Sequence, residues 1–113
     1  MDRDLGVLVD ILVAARDLLE FKQATTREEF LGSKLLQSAI LHQLVVIGEA
    51  SRRLSEEFRA QHPEIPWTRV IALRNFVIHQ YDEIDFAIVW NICDRHVPEL
   101  IAFCEPRVGD WAD

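Results

Sequence analysis

The sequence is poor in everything that staples or interrupts a chain. Only two of its 113 residues are cysteine, and they do not form a C-x-x-C pair, so neither a disulfide framework nor a zinc ribbon is expected. Glycine and proline number four each, too few for an all-β protein that must turn at short intervals. Cations are also scarce. Twelve Lys and Arg stand against nineteen Asp and Glu, for a formal net charge of −7. That argues against a domain that grips duplex DNA by a broad basic face, though it leaves room for a small cationic site inside an acidic shell. Long apolar runs are missing too. In the opening segment Asp4, Asp10, Arg16 and Asp17 interrupt the apolar residues, so it reads neither as a signal peptide nor as a membrane span of about 20 residues. A reducing, cytoplasmic setting is expected, with no membrane partner.

What is present is a chain that is 50% hydrophobic and 27% charged, outside the disordered range. Its length suits a single domain over residues 1–113, one that can bury roughly two-thirds of its extended surface. Apolar spacing is helical almost throughout. Leu5, Leu8, Leu12, Ala15 and Leu19, widened by Ile11 and Leu18, predict a first helix over about residues 4–22. Thr26 and Glu29 make a capping box for a short helix over 27–31, and Ser33 can cap a longer one. From Lys34 to about Gln61 nothing stops a helix except Gly48, the cheapest place for a bend. Between Ala39 and Ile47 that helix is apolar nearly all round, which asks for cover from a second subunit as well as from its own core. Pro63 ends it, and Pro66 suits the first position of a helix running to about His79. Asp82 can cap the last helix, which carries Phe86, Trp90, Cys93, Val97, Leu100 and Cys104 on one seam and is expected to kink at Pro98. No strand pattern appears. The predicted architecture is all-α, an antiparallel four-to-five-helix bundle.

The stretch from Arg74 to Tyr81 gathers a guanidinium, an amide, an imidazole and a phenol. Asn75 and His79 lie four apart and share a helical face. Arg74 and His79 lie five apart, about 140° around the axis, so they converge on one cleft only from its flanks, or when two subunits meet. These groups suit phosphodiester chemistry. Arg is a planar fork for phosphate and for charge on a developing phosphorane. A neutral imidazole can take the proton from a ribose 2′-OH, and no metal or other cofactor is required. The plainer alternative is that Arg74 and Asn75 are surface groups and that His79 merely caps a helix C-terminus.

A longer ordered series surrounds that stretch: Val46-Ile47-Gly48-Glu49-Ala50, Ile65-Pro66-Trp67, Leu73-Arg74-Asn75, His79, Tyr81, Ile84-Asp85 and Val89-Trp90. Over roughly residues 40–100 it resembles the HepT family of HEPN-domain proteins; the residues before it fit only as a helical pattern. Arg74, His79, Gln80 and Tyr81 fill the R-x4-H-x-Y motif without departure. The resemblance implies an all-α homodimer in which Arg and His of both subunits meet in one cleft, and a metal-independent endoribonuclease acting on RNA rather than DNA. It further implies the toxin half of a type VII-like toxin–antitoxin pair. The partner would be a minimal, MntA-like nucleotidyltransferase that neutralises the toxin by transferring AMP to the motif tyrosine, which matches Tyr81. On that reading His79 is the general base, Arg74 holds the scissile phosphate and Asn75 orients one of them. The products carry a 2′,3′-cyclic phosphate and a 5′-hydroxyl.

Other readings stay open on the sequence. The bundle can instead be a non-catalytic module that binds a nucleotide or the nucleotidyltransferase, or a purely structural dimer, and Tyr81 can be a residue packed at the bundle end. Glu49 is a carboxylate in an apolar stretch and wants a partner, for which Arg52, Arg53 or a group on the helix after Pro66 can serve. Arg52, Arg53, Arg59 and Arg69 either extend a basic path toward the cleft or are solvated singly. Cys93 and Cys104 lie about 16 Å apart along one helix face, too far to bond, and read as small core residues. Trp67 and Trp90 read as core, with base stacking the lesser alternative.

Overall fold

A computed structural model describes residues 2–109, with Tyr81 described through its backbone alone. Six α-helices and one 3-10 turn account for most of the described residues, and no strand occurs among them. The four long helices are α1 (Arg3–Gln23), α3 (Lys34–Arg52), α5 (Trp67–His79) and α6 (Phe86–Val108). The two short ones are α2 (Arg27–Leu31) and α4 (Glu56–Gln61), and the 3-10 turn spans Tyr81–Glu83. The shape is elongated, 42 × 29 × 20 Å.

Local chemistry accounts for most of the boundaries. The Asp2 side chain accepts from Asp4 N to open α1. Thr26 and Glu29 form the full capping box of α2, and the Ser33 hydroxyl accepts from Leu36 N to open α3. The last helix opens at Asp85, whose side chain accepts from Ala87 N. Asp82, the expected cap, is taken up in the 3-10 turn instead. Helix α6 continues through both Pro98 and Pro106.

The helix expected from Lys34 to Gln61 is in fact two. Helix α3 stops at Arg52, and Ser55 caps α4 by accepting from Phe58 N. The cause of the break is tertiary. The Asp4 carboxylate, at the start of α1, accepts from both Ser55 N at 2.8 Å and Ser55 Oγ at 2.7 Å. Leu54, 2% exposed, is driven into the core beside it. Gly48 is not the bend. It is the point where α5 crosses α3 most closely, because a Cβ there would lie 3.1 Å from Arg74 N, 3.1 Å from Val70 O and 3.3 Å from Ile71 O.

The core is a three-helix layer. Helix α1 packs on both α3 and α6. Both pairs are antiparallel: Arg53 near the end of α3 meets Asp10 early in α1, while Arg16 meets Glu105 and Lys22 meets Asp94 on α6. Ile11, Leu12, Ala15 and Leu18 from α1, Ile40, Leu44 and Ile47 from α3, and Val89, Cys93 and Cys104 from α6 are buried nearly completely. Each large apolar side chain so buried contributes roughly 1.5–3 kcal/mol. Both cysteines are free thiols in this layer, and burial pushes each up to about 12. Trp67 is buried against Phe103 and donates its indole N–H to His62 O at 2.9 Å. Trp90, half-buried, lies against the fully buried Phe30 and under the Lys22 ammonium. Both tryptophans are thus structural.

Candidate active site

Helix α5 carries Arg74, Asn75 and His79 and rests on α3. Only Trp67 and Val77 along it are buried. Arg74, Asn75 and His79 are all exposed. The close crossing at Gly48 decides what Arg74 meets. With no side chain at residue 48, the backbone of α5 settles against α3, and the Arg74 guanidinium falls beside the next residue, Glu49. Arg74 Nε lies 2.9 Å from Glu49 Oε1, and Arg74 Nη1 donates to Asn75 Oδ1 at 3.2 Å. The other Glu49 oxygen takes Arg52 Nη2 at 3.3 Å. Glu49 is therefore shared by two guanidiniums from two helices.

These bonds fix what Arg74 can still do. A guanidinium offers five N–H donors in a fixed fork. Glu49 occupies the Nε side and Asn75 one Nη, which sets the orientation of the plane and leaves Nη2 without a hydrogen bond among the described residues. Asn75 is engaged with Arg74, not with His79. His79 is the last residue of α5, where the helix closes with Gln80 N–H on Phe76 O. Tyr81 follows in the 3-10 turn; its side chain lies outside the described residues. Spacing on the helix separates Arg74 from His79 by about 140°, so one protomer does not aim both at a single point.

Glu49 finds two of the partners the sequence offered it, Arg52 and, on the helix after Pro66, Arg74. The sequence does not single out Arg74 on that helix. The one available signal is the glycine just before it, which marks a close backbone approach inside an otherwise apolar helix.

An apolar groove runs beside α5, between it and α6. Leu44 and Ile47 form its floor, Val70 and Leu73 one wall, and Ile92 and Leu100 the other, around a small hollow of about 50 Å³. Ile78 and Ile88, on the same two helices, are 48% and 52% exposed. Among the described residues no three His, Cys, Asp or Glu side chains gather as metal ligands, and no helix is long and apolar enough to cross a membrane.

The chain that carries this helix has relatives among known sequences. The Ribonuclease HepT-like family profile matches residues 11–106. The chain belongs to the HepT-like family. A Methanocaldococcus jannaschii protein provisionally named an RNase is 39% identical over 93 residues, covering 82% of this chain and 85% of its own length. A second from the same organism, named in the same way, is 38% identical over 103 residues, covering 91% of this chain and 85% of its own. A Thermococcus cleftensis protein named "Probable ribonuclease HepT" is 36% identical over 93 residues, covering 82% and 84%. No solved structure gives a significant match. The HepT-like, all-α character expected from the series around Arg74 and His79 thus holds over most of the chain.

Proposed function

We propose that this protein is a metal-independent endoribonuclease that works as a homodimer. His79 takes the proton from a ribose 2′-OH, and Arg74 holds the scissile phosphate and stabilises the phosphorane. The 2′-oxygen attacks phosphorus and the 5′-oxygen leaves, taking a proton from water, to give a 2′,3′-cyclic phosphate and a 5′-hydroxyl end. The observation that carries this reading is the braced guanidinium: Arg74 is held by Glu49 and Asn75 on an exposed helix that ends in His79. Membership in the HepT-like family and the names of the relatives support the same chemistry.

The second subunit follows from the divergence of Arg74 and His79 around α5. Two copies placed with their α5 helices together bring one Arg–His couple opposite another. Ile78, Ile88 and the groove beside α5 supply apolar surface for that contact. In the cell the same reading makes the protein a toxin, neutralised by a minimal nucleotidyltransferase that transfers AMP to the Tyr81 hydroxyl. The added phosphate would sit just beyond His79 in sequence and compete with RNA for Arg74.

The test is cleavage of RNA by purified protein in a chelating buffer, with the product ends analysed. His79→Ala is expected to slow cleavage by about 10² to 10⁴ while the fold, read by thermal melting, is kept. A His79→Ala protein that cuts at the wild-type rate overturns the assignment. Sedimentation at micromolar concentration is expected to show a dimer. Mass spectrometry after incubation with such a nucleotidyltransferase and ATP is expected to place AMP on Tyr81.

A further inference from the structure

The corner where α3 ends and α4 begins concentrates cations that the acidic composition otherwise disperses. Arg3, Arg52, Arg53 and Arg59 line one open depression of about 260 Å³, together with Leu54, Ser55 and a single acid, Glu56. Four of the twelve Lys and Arg in the chain thus face one hollow. The neighbouring carboxylates are largely occupied. Asp4 accepts both bonds from Ser55, and Asp10 is held by Arg53 at 3.1 Å. Arg3 and Arg59 make no ion pair among the described residues. Arg59 also lines an adjoining depression with Arg69 and Trp67, and its Nε is buried without a hydrogen-bond partner.

The depression is joined to the candidate active site through one side chain. Arg52 lines the hollow and also holds Glu49, the carboxylate that braces Arg74. From Arg74 the cations therefore continue past Arg52 to Arg3, Arg53 and Arg59 along the end of α3.

We infer that this arginine-lined depression is a backbone-phosphate subsite, which holds single-stranded RNA some nucleotides away from the bond that is cut. The inference rests on the ribonuclease reading of the Arg74–His79 helix. It explains how a protein of net charge −7 holds a polyanion: the attraction is local, in a concave site, where the field is focused. Recognition is of phosphate and not of base, so it carries no sequence preference.

Binding and cleavage separate the two proposals. Affinity for a non-cleavable, 2′-O-methylated 12-nucleotide RNA is measured by fluorescence anisotropy over a range of salt concentrations. Cleavage of an unmodified 12-mer and of a dinucleotide is followed in parallel. Arg3→Gln/Arg53→Gln, in which both replaced side chains are exposed, is expected to weaken 12-mer binding about ten-fold. It should also flatten the log K against log salt slope by about 0.7 for each phosphate no longer neutralised. Dinucleotide cleavage, whose substrate is too short to reach the depression, should be unchanged. Arg59→Gln is expected to act in the same direction and gives a second, independent variant. If both variants bind the 12-mer as wild type does, with the same slope, while wild type cleaves it, the subsite is overturned and the nuclease stands. If wild type cleaves neither substrate, the ribonuclease reading fails first and takes the subsite with it.

Discussion

Helix α1 buries seven of its 21 residues, whereas α5 buries two of 13. The first is gripped on two sides, by α3 and α6, and its register is further marked by ion pairs to both. The second leans on α3, with a groove beside it. One region is built for persistence and the other for presentation. The motif residues sit on the least buried of the four long helices, and the placement of Arg74 depends on a single crossing at Gly48 and on one carboxylate, Glu49. Stability and chemistry can therefore be altered separately here, except where α3 and α5 meet.

That separation can be challenged by substitution. Leu12→Ala removes a fully buried side chain from α1 and should cost about 2–5 kcal/mol of stability. Cleavage measured well below the melting transition should stay near wild type; a large loss of activity in the still-folded protein would falsify the separation. Gly48→Ala falls on the joint. Its methyl group meets backbone atoms of α5 at 3.1 Å, and backbone cannot swing aside as a side chain can. A loss of about 1–3 kcal/mol is expected together with a fall in cleavage, the two read from melting and kinetics on one sample.

The buried thiols give a smaller effect confined to the core. Cys93 and Cys104 are raised from 9.0 to about 12 by burial. Above pH 9 the unfolded chain therefore releases protons that the folded chain keeps. Stability should fall between about pH 9 and 12, by on the order of 1 kcal/mol per thiol at pH 10. A Cys93→Ala/Cys104→Ala protein whose denaturant midpoint falls as steeply over that range would rule the thiols out as the cause. Glu49→Gln should show the smallest change in stability, under about 1 kcal/mol, because the pair is partly exposed. It should nonetheless lower cleavage on the order of ten-fold by loosening Arg74. Should cleavage be unaffected, the bracing role is wrong.

Much of the fold is legible in the residues, and the exceptions share a cause. Thr26, Glu29 and Ser33 announce their helices because a cap is a local bond between near neighbours. The first helix, read as 4–22, is observed as Arg3–Gln23. The break after Arg52 is not announced, since Ser51-Arg52-Arg53-Leu54 contains no residue that opposes a helix. What ends α3 is Asp4, 51 positions away. Ser55 followed by Glu56 and Glu57 is the available local hint. Asp85 prevails over Asp82 because the chain first closes a 3-10 turn, with Glu83 N–H on Gln80 O. At the site the same division holds. Arg74, Asn75 and His79 stand out by type and spacing, but the brace from Glu49 depends on how two helices cross. Periodicity does not specify that register.

The antiparallel pairing of α1 with α6 also has a temporal side. Lys22 finds Asp94 across 72 positions and Arg16 finds Glu105 across 89. A chain emerging from the ribosome therefore exposes α1, α3 and the Arg–His helix before it has Val89, Cys93 and Cys104 to cover them. Long-range closure of this kind waits for the last segment. The α1–α3 layer is therefore closed only once α6 has joined it.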